Sequence, residues 1–221
     1  MSKKIITVCM ALTAFVAFAL PATASAANEP QLTSEGRLIP PGTTLVGTAV
    51  GFIFTDTNGN PLNSCSTAKL TGTVTKNSES TFEEEVPAGN ATVSGTGAVS
   101  SDNSLPECTG SFGNSFITVP TAFCLKSGPG QAEDEVLITG CTGKVKLIIG
   151  STTAGECEYE STGAVQADST TGGTEASITT RDTSAGSGMK KIRGGFLCPT
   201  TLAIRVLYAL ETKNGAPVTI S

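Results

Sequence analysis

The sequence predicts an all-β, antiparallel fold of β-sandwich or jelly-roll type, stapled by disulfides. Three observations carry that expectation. Short runs alternating apolar and polar residues recur between turn residues, and no window holds a helical period. The longest run, Thr201 to Glu211, places Leu202, Ile204, Val206, Tyr208 and Leu210 on one face of a strand. Six cysteines follow an export leader, an even number that reads as a disulfide framework.

The leader is residues 1–26. Lys3 and Lys4 precede an apolar run from Ile5 to Leu20, then Pro21 and the small-x-small site Ala24-Ser25-Ala26. That is the pattern of a secretory signal peptide cleaved after about Ala26. The apolar run is too short for a membrane span. The expected product is secreted or extracellular, with no membrane span. Cleavage removes Cys9 and leaves Cys65, Cys108, Cys124, Cys141, Cys157 and Cys198. It also removes two lysines, so 14 − 2 = 12 basic side chains face 19 acidic ones, a net charge of −7. Nucleic acid is a poor partner for such a chain.

Residues 27–41, ending in Pro40-Pro41-Gly42, read as a flexible N-terminal arm that could add to a neighbour's sheet edge. Residues 42–112 form an N-terminal β module and residues 113–221 a C-terminal one; the alternative is one continuous domain. Within the first, "VGFIFT" and the run after Pro61 are strands joined by a turn at Asn58-Gly59. "AKLTGTV" puts Ala68, Leu70 and Val74 on one face. Glu83-Glu84-Glu85, and Glu133-Asp134-Glu135 after it, read as solvated loops, with calcium or cationic contacts and catalysis as weaker readings. "SFITVP", "EVLITG" and "KVKLIIG" are further strands. Asn214-Gly215 turns the chain after the long strand, and "PVTIS" is the last one.

Cys198 sits before Pro199 at the start of the long strand, and no helix N-terminus lies near it to depress a thiol pKa. It reads as a staple, not a nucleophile. Six cysteines allow fifteen pairings, of which we expect Cys65–Cys108, Cys124–Cys141 and Cys157–Cys198. Gly128-Pro129-Gly130 can reverse the chain between the middle two.

Several chemistries lose support. The chain has no histidine, hence no Ser-His-Asp triad and no imidazole metal ligand. No cysteine spacing is C-x-x-C. Ser66-Thr67-Ala68-Lys69, Ser101-Asp102-Asn103 and Lys126-Ser127-Gly128 match the motif order of penicillin-binding proteins. The first belongs on a helix in those enzymes, whereas here it leads into the strand-forming "LTGTVT", where positions i and i+3 face apart. Asp56 to Pro61 departs from a calcium loop, which needs glycine sixth and glutamate twelfth. No catalytic, cofactor-binding or metal residue is assigned.

"FCLKSGPGQAEDEVLITGC", "GECEYESTGAV" and "GGFLCPTTL…YALETKNGAPVTIS" resemble secreted, cysteine-bearing, β-rich proteins of actinobacteria, mainly over residues 123–221 and more loosely over 42–108. A Leu-Pro-Trp expected before the first cysteine of that half is replaced by Val119-Pro120-Thr121-Ala122-Phe123. The resemblance implies compartment and β-fold, and no chemistry. The leading functional expectation is a non-enzymatic structural, matrix or cell-envelope interaction protein, self-associating or bound to a cell-surface partner. The alternatives are a small-ligand or protein-binding β module and, last, a carboxylate-based hydrolase.

Overall fold

The structure, a computed structural model, describes residues 30–56, 58–78, 81–89, 91–94, 108–111, 113–127, 135–169, 177–180 and 188–220, and of 50–51, 67, 91–94 and 177–180 the backbone alone. Residues 1–29, Ser101-Asp102-Asn103 and Gly128-Pro129-Gly130 lie outside them. In chain order the strands are β1 (Leu32–Ser34), β2 (Arg37–Leu38), β3 (Thr44–Thr55), β4 (Pro61–Ser78), β5 (Thr81–Val86), β6 (Ala91–Ser94), β7 (Thr109–Gly110), β8 (Ser115–Thr118) and β9 (Phe123–Ser127). They continue as β10 (Glu135–Gly140), β11 (Lys146–Ser151), β12 (Gly155–Ser161), β13 (Val165–Ser169), β14 (Ser177–Thr180), β15 (Met189–Arg193), β16 (Thr201–Thr212) and β17 (Val218–Ile220). The fold is all-β and antiparallel, with the three disulfides formed.

Three long strands, β4, β3 and β16, lie side by side and organise the rest. Alternation dictates β16: Leu202, Val206, Tyr208 and Leu210 are buried, while Arg205 and Leu207 face out. The register of β3 against β16 slips between Val206 and Tyr208. The extra residue in β3 lets Ala49 and Phe52 both face inward, so one face stays apolar along the whole ribbon.

Each outer edge of this ribbon is shared. The edge of β4 pairs with β6 at Thr67 to Leu70 and with β5 at Thr73 to Ser78. The edge of β16 pairs with β15 at Thr201 and Leu202, and with β14 at Leu207 to Ala209. Two arcs therefore leave one side of the ribbon and return on the other. One runs β5-β9-β10-β13-β14 and the other β6-β8-β11-β12-β15, so each closes with β4, β3 and β16 into a ring of eight strands. Closure gives every described strand of either ring a neighbour on both sides. The chain crosses between the rings repeatedly, among other places through residues 118–123, 140–146 and 161–165.

The strands on either side of residues 112/113 pair with one another, through β6–β8, β5–β9 and β3–β16, so that position divides no sheet. The segment expected as a free arm is built into the molecule over residues 30–41. Glu35 and Gly36, both at positive φ, turn β1 back onto β2, and β1 pairs with β17. Leu32 and Ile39 are buried, and the Asn77 side chain binds them to the ring. Asn77 Oδ1 accepts from the Leu32 N–H at 3.0 Å, and its Nδ2 donates to the carbonyls of Leu32 and Ile39. An apolar pair plus a buried amide clamp outweighs the mobility expected of a chain end.

The turn expected at Asn58-Gly59 joins β3 to β4, with Gly59 at φ 81°. Asp56 accepts hydrogen bonds from the Asn60 side chain and the backbone N–H groups of Asn58 and Asn60, with Asn60 foremost in holding its carboxyl below the usual range. The Asn214-Gly215 turn also forms, but the strand after it pairs with β1 and touches β16 through a single bridge.

Candidate functional site

The central ribbon forms one wall of an apolar cavity of about 80 Å³, with Phe52, Leu70, Ile204, Val206 and Tyr208. The opposite wall comes from the places where the chain crosses between the rings. Val119 lies in the crossing at 118–123 and Phe123 ends it, Val145 lies in the one at 140–146, and Val165 ends the one at 161–165. The cavity therefore sits on the seam between the two rings. Ile138, Val145 and Ile204 in its lining are half-buried. The apolar lining excludes any strongly hydrated ligand.

Beside this cavity lies the most unusual side chain of the protein. β5 buries Phe82, Glu84 and Val86 and turns Glu83 and Glu85 outward. Glu84 is 0 % exposed. It stands in an inward-facing row across four strand pairs, Val74–Glu84–Leu125–Ile138–Val165, whose last three members line the cavity. Its carboxyl folds over Gly72, next on the same face to the cavity residue Leu70. A Cβ at Gly72 would lie 2.2 Å from Glu84 Oε1 and 2.8 Å from its Cγ, so the carboxyl occupies the space a side chain there would take. Neither carboxyl oxygen has a hydrogen-bond partner among the described residues. Burial pushes the Glu84 carboxyl up to about 8, because a charge there would lose its hydration. At neutral pH it is mostly the uncharged acid, a hydrogen-bond donor held in apolar surroundings.

The Glu83-Glu84-Glu85 run, expected as a solvated loop, is thus a strand with its middle acid in the core. Glu83 pairs instead with Lys126 across the outer face, at 3.2 Å. Row neighbours Val74 and Leu125 are apolar, so no second carboxylate faces Glu84 along its row, as paired-acid hydrolysis requires. Of the second acidic run, Glu133 and Asp134 lie outside the described residues, and Glu135 begins β10.

The serine–lysine tetrapeptide lies within β4, with Lys69 on the outside. Of the third motif, Ser127 is buried in β9 and Lys126 binds Glu83. The six cysteines pair as Cys65–Cys108, Cys124–Cys141 and Cys157–Cys198, with sequence separations of 43, 17 and 41. Among the described residues no three His, Cys, Asp or Glu side chains cluster to hold a metal, and no helix is long and apolar enough to cross a membrane.

A second surface feature stands at the opening of β16. Gly195 to Cys198 form a turn closed by the Cys198 N–H on the Gly195 carbonyl at 3.2 Å. Lys191 Nζ donates to the carbonyls of both Gly195 and Cys198, and the Cys157–Cys198 bridge fixes the far end. The tip of this braced turn is Phe196, 94 % exposed, beside half-exposed Leu197 and Ile192. Phe116, also exposed, is accounted for: its ring covers Gly150, where a Cβ would lie 2.0 Å from it.

No protein-family model matches the chain, and neither a curated protein nor a solved structure is significantly similar to it. The functional reading rests on the fold and on these two features.

Proposed function

We propose that the protein is an exported, non-enzymatic binding protein that takes a small apolar molecule, or the apolar end of a larger one, into the seam cavity. The observation that carries this is the cavity itself, walled by aliphatic and aromatic side chains and bordered by half-buried Ile138, Val145 and Ile204. Side chains in protein interiors ordinarily close such a space, and an apolar cavity left open stays dry and accepts apolar guests. The even cysteine count and the leader-like first 26 residues support the extracellular setting. The test is a methyl-detected NMR titration with methylenecyclobutane. Saturable shifts centred on Leu70, Leu125 and Val206 are expected, and Val165→Phe, which fills the space, should abolish them. Unsaturated or scattered shifts would refute the reading.

A second reading is favoured by the braced turn at Phe196. Large apolar side chains fixed at full exposure are a feature of interaction surfaces. The same hairpin carries Lys190, Lys191 and Arg193 in a chain with an acidic excess. The exposed tip suits a second copy of the chain as the partner, with Phe196 and Leu197 of one against the same residues of the other.

A further inference from the structure

We propose that Tyr208 is the polar anchor of the seam cavity, its hydroxyl donating a hydrogen bond to an uncharged ligand that carries a single acceptor oxygen on an otherwise apolar body. The inference rests on the cavity being a ligand site. It adds which residue reads the ligand and which chemistry the ligand carries.

Tyr208 belongs to the cavity wall, on the inward face of β16 with Val206. Among the described residues it is the one lining side chain that carries a hydrogen-bond donor; the others are aliphatic side chains, Phe and Met. The residue is buried, with 8 % of its surface exposed. Its hydroxyl has no hydrogen-bond partner among the described residues. Burial alone holds the phenol above the usual tyrosine range, with no hydrogen bond or charge contributing. The unpartnered side-chain oxygens sealed from contact are those of Thr55, Glu84, Ser127, Tyr159 and Ser169. The Tyr208 hydroxyl is not one of them. It is therefore both unpartnered and accessible, on a side chain that lines the cavity. Native proteins seldom leave a buried polar group unpaired, and the exceptions mark functional sites or missing partners. A lodged water does not fill the role, because it needs two to four polar partners and the lining side chains offer one. The backbone is also specialised at this position. The β3–β16 register slips between Val206 and Tyr208, and the cross-strand neighbour of Tyr208 is the small Ala49. Such bulges commonly re-aim a side chain beside a site.

Charge selects the ligand class. Among the described residues no Asp, Glu, Lys or Arg lines the cavity. An anion there would meet no cation, and an ammonium no carboxylate, so either would lose its hydration without compensation. A carbonyl or ether oxygen keeps both partners neutral and accepts from the phenol. Size narrows the class again. Benzene occupies an engineered cavity of about 150 Å³; one of about 80 Å³ takes a four-carbon group.

A matched pair of probes tests this: cyclobutanone and methylenecyclobutane, nearly equal in shape and different in one acceptor oxygen. Binding of each is measured by methyl NMR on the wild type, Tyr208→Phe and Tyr159→Phe. Because water solvates the ketone better, the quantity read is the ratio of ketone to alkene affinity, compared between proteins. Tyr208→Phe removes the hydroxyl and keeps the ring, and should lower that ratio about fivefold, the usual net worth of one hydrogen bond. Tyr159→Phe removes a hydroxyl that is sealed from contact and should hold the ratio within about twofold. Circular dichroism checks that both variants fold. A readout on the wild type alone stands beside them: the infrared carbonyl band of bound cyclobutanone should lie below its position in hexane. If the alkene binds and the ratio ignores Tyr208→Phe, or the carbonyl band stays where hexane puts it, the anchor is refuted while the cavity reading stands. If Tyr159→Phe lowers the ratio as fully as Tyr208→Phe, direct donation by Tyr208 is refuted. If neither probe binds, the cavity reading fails and takes the anchor with it.

Discussion

Replacing Glu84 by glutamine should flatten the dependence of stability on pH. The native carboxyl titrates at about 8, against 4.5 for an exposed glutamate. Between those values the unfolded chain has lost its proton and the native protein keeps it. The native state then binds more protons than the unfolded state, so stability falls as pH rises, by about 1.4 kcal/mol for each pH unit. The full interval represents about 5 kcal/mol, a large share of an ordinary domain's stability. Below 4.5 both states are protonated and the penalty vanishes. Urea unfolding at pH 5.0 and pH 7.5, with disulfides intact, reads about 3 kcal/mol of this. With a slope of about 2 kcal/mol per molar, the wild-type midpoint should drop by about 1.5 M more than that of Glu84→Gln. The variant should also be the more stable protein at pH 7.5. If the two midpoints fall in parallel, the carboxyl ionises at an ordinary pH, and its account as a dry, unpartnered acid is refuted.

Two further outcomes are expected. Cys198→Ser opens a loop of 41 residues and should cost about 4 kcal/mol by the chain-entropy estimate. The freed Cys157 is fully buried, so iodoacetamide should label it only as fast as the protein opens; immediate labelling would show that the β12 strand does not hold its place without the bridge. Phe196→Ser removes a side chain that touches solvent almost everywhere and should leave stability within about 0.5 kcal/mol. If the turn joins two copies, the same change should convert a sedimenting dimer to monomer, and a monomeric wild type at high concentration would end that reading.

How much of this was legible in the sequence depends on the range of the interaction. Cys198 was readable as a staple because its neighbours excluded other chemistry, and the pairing followed from loop lengths and one turn. The face of β16 was readable because alternation is local. Glu84 was missed although its signal was present: Phe82, Glu84 and Val86 alternate with Glu83 and Glu85, as a half-buried strand does. Three adjacent acids outweighed that pattern, since acids rarely tolerate burial. The space its carboxyl fills lies over Gly72 on the adjoining strand, and register between strands is set by the whole sheet. The N-terminal segment failed similarly. Leu32, Leu38 and Ile39 around Glu35-Gly36 carry a weak hairpin signal, but the clamp that holds them is Asn77, some forty residues on. Ring closure was out of reach altogether, because β3 meets β16 across most of the chain.

The disulfides explain how the fold sustains both an open cavity and an unpaired acid. A cavity of about 80 Å³ costs about 2 kcal/mol, and an unsatisfied buried polar group about 1 to 3. Each bridge removes about 3 to 4 kcal/mol of freedom from the unfolded chain, which offsets such costs without filling the space. Their placement bears on the same site. Cys124 lies between the cavity residues Phe123 and Leu125, and Cys141 lies in the crossing that carries Val145. That bridge ties one end of the arc to the seam. Cys157–Cys198 ties the other arc to the start of β16, four residues before Leu202. Both walls of the cavity are thus held by covalent links outside it, which leaves its interior free to be shaped for a ligand and not for packing. Under the proposed function, a site held open in this way would lose little entropy on binding, and a preformed apolar pocket is the arrangement that lets a small, weakly interacting molecule be retained.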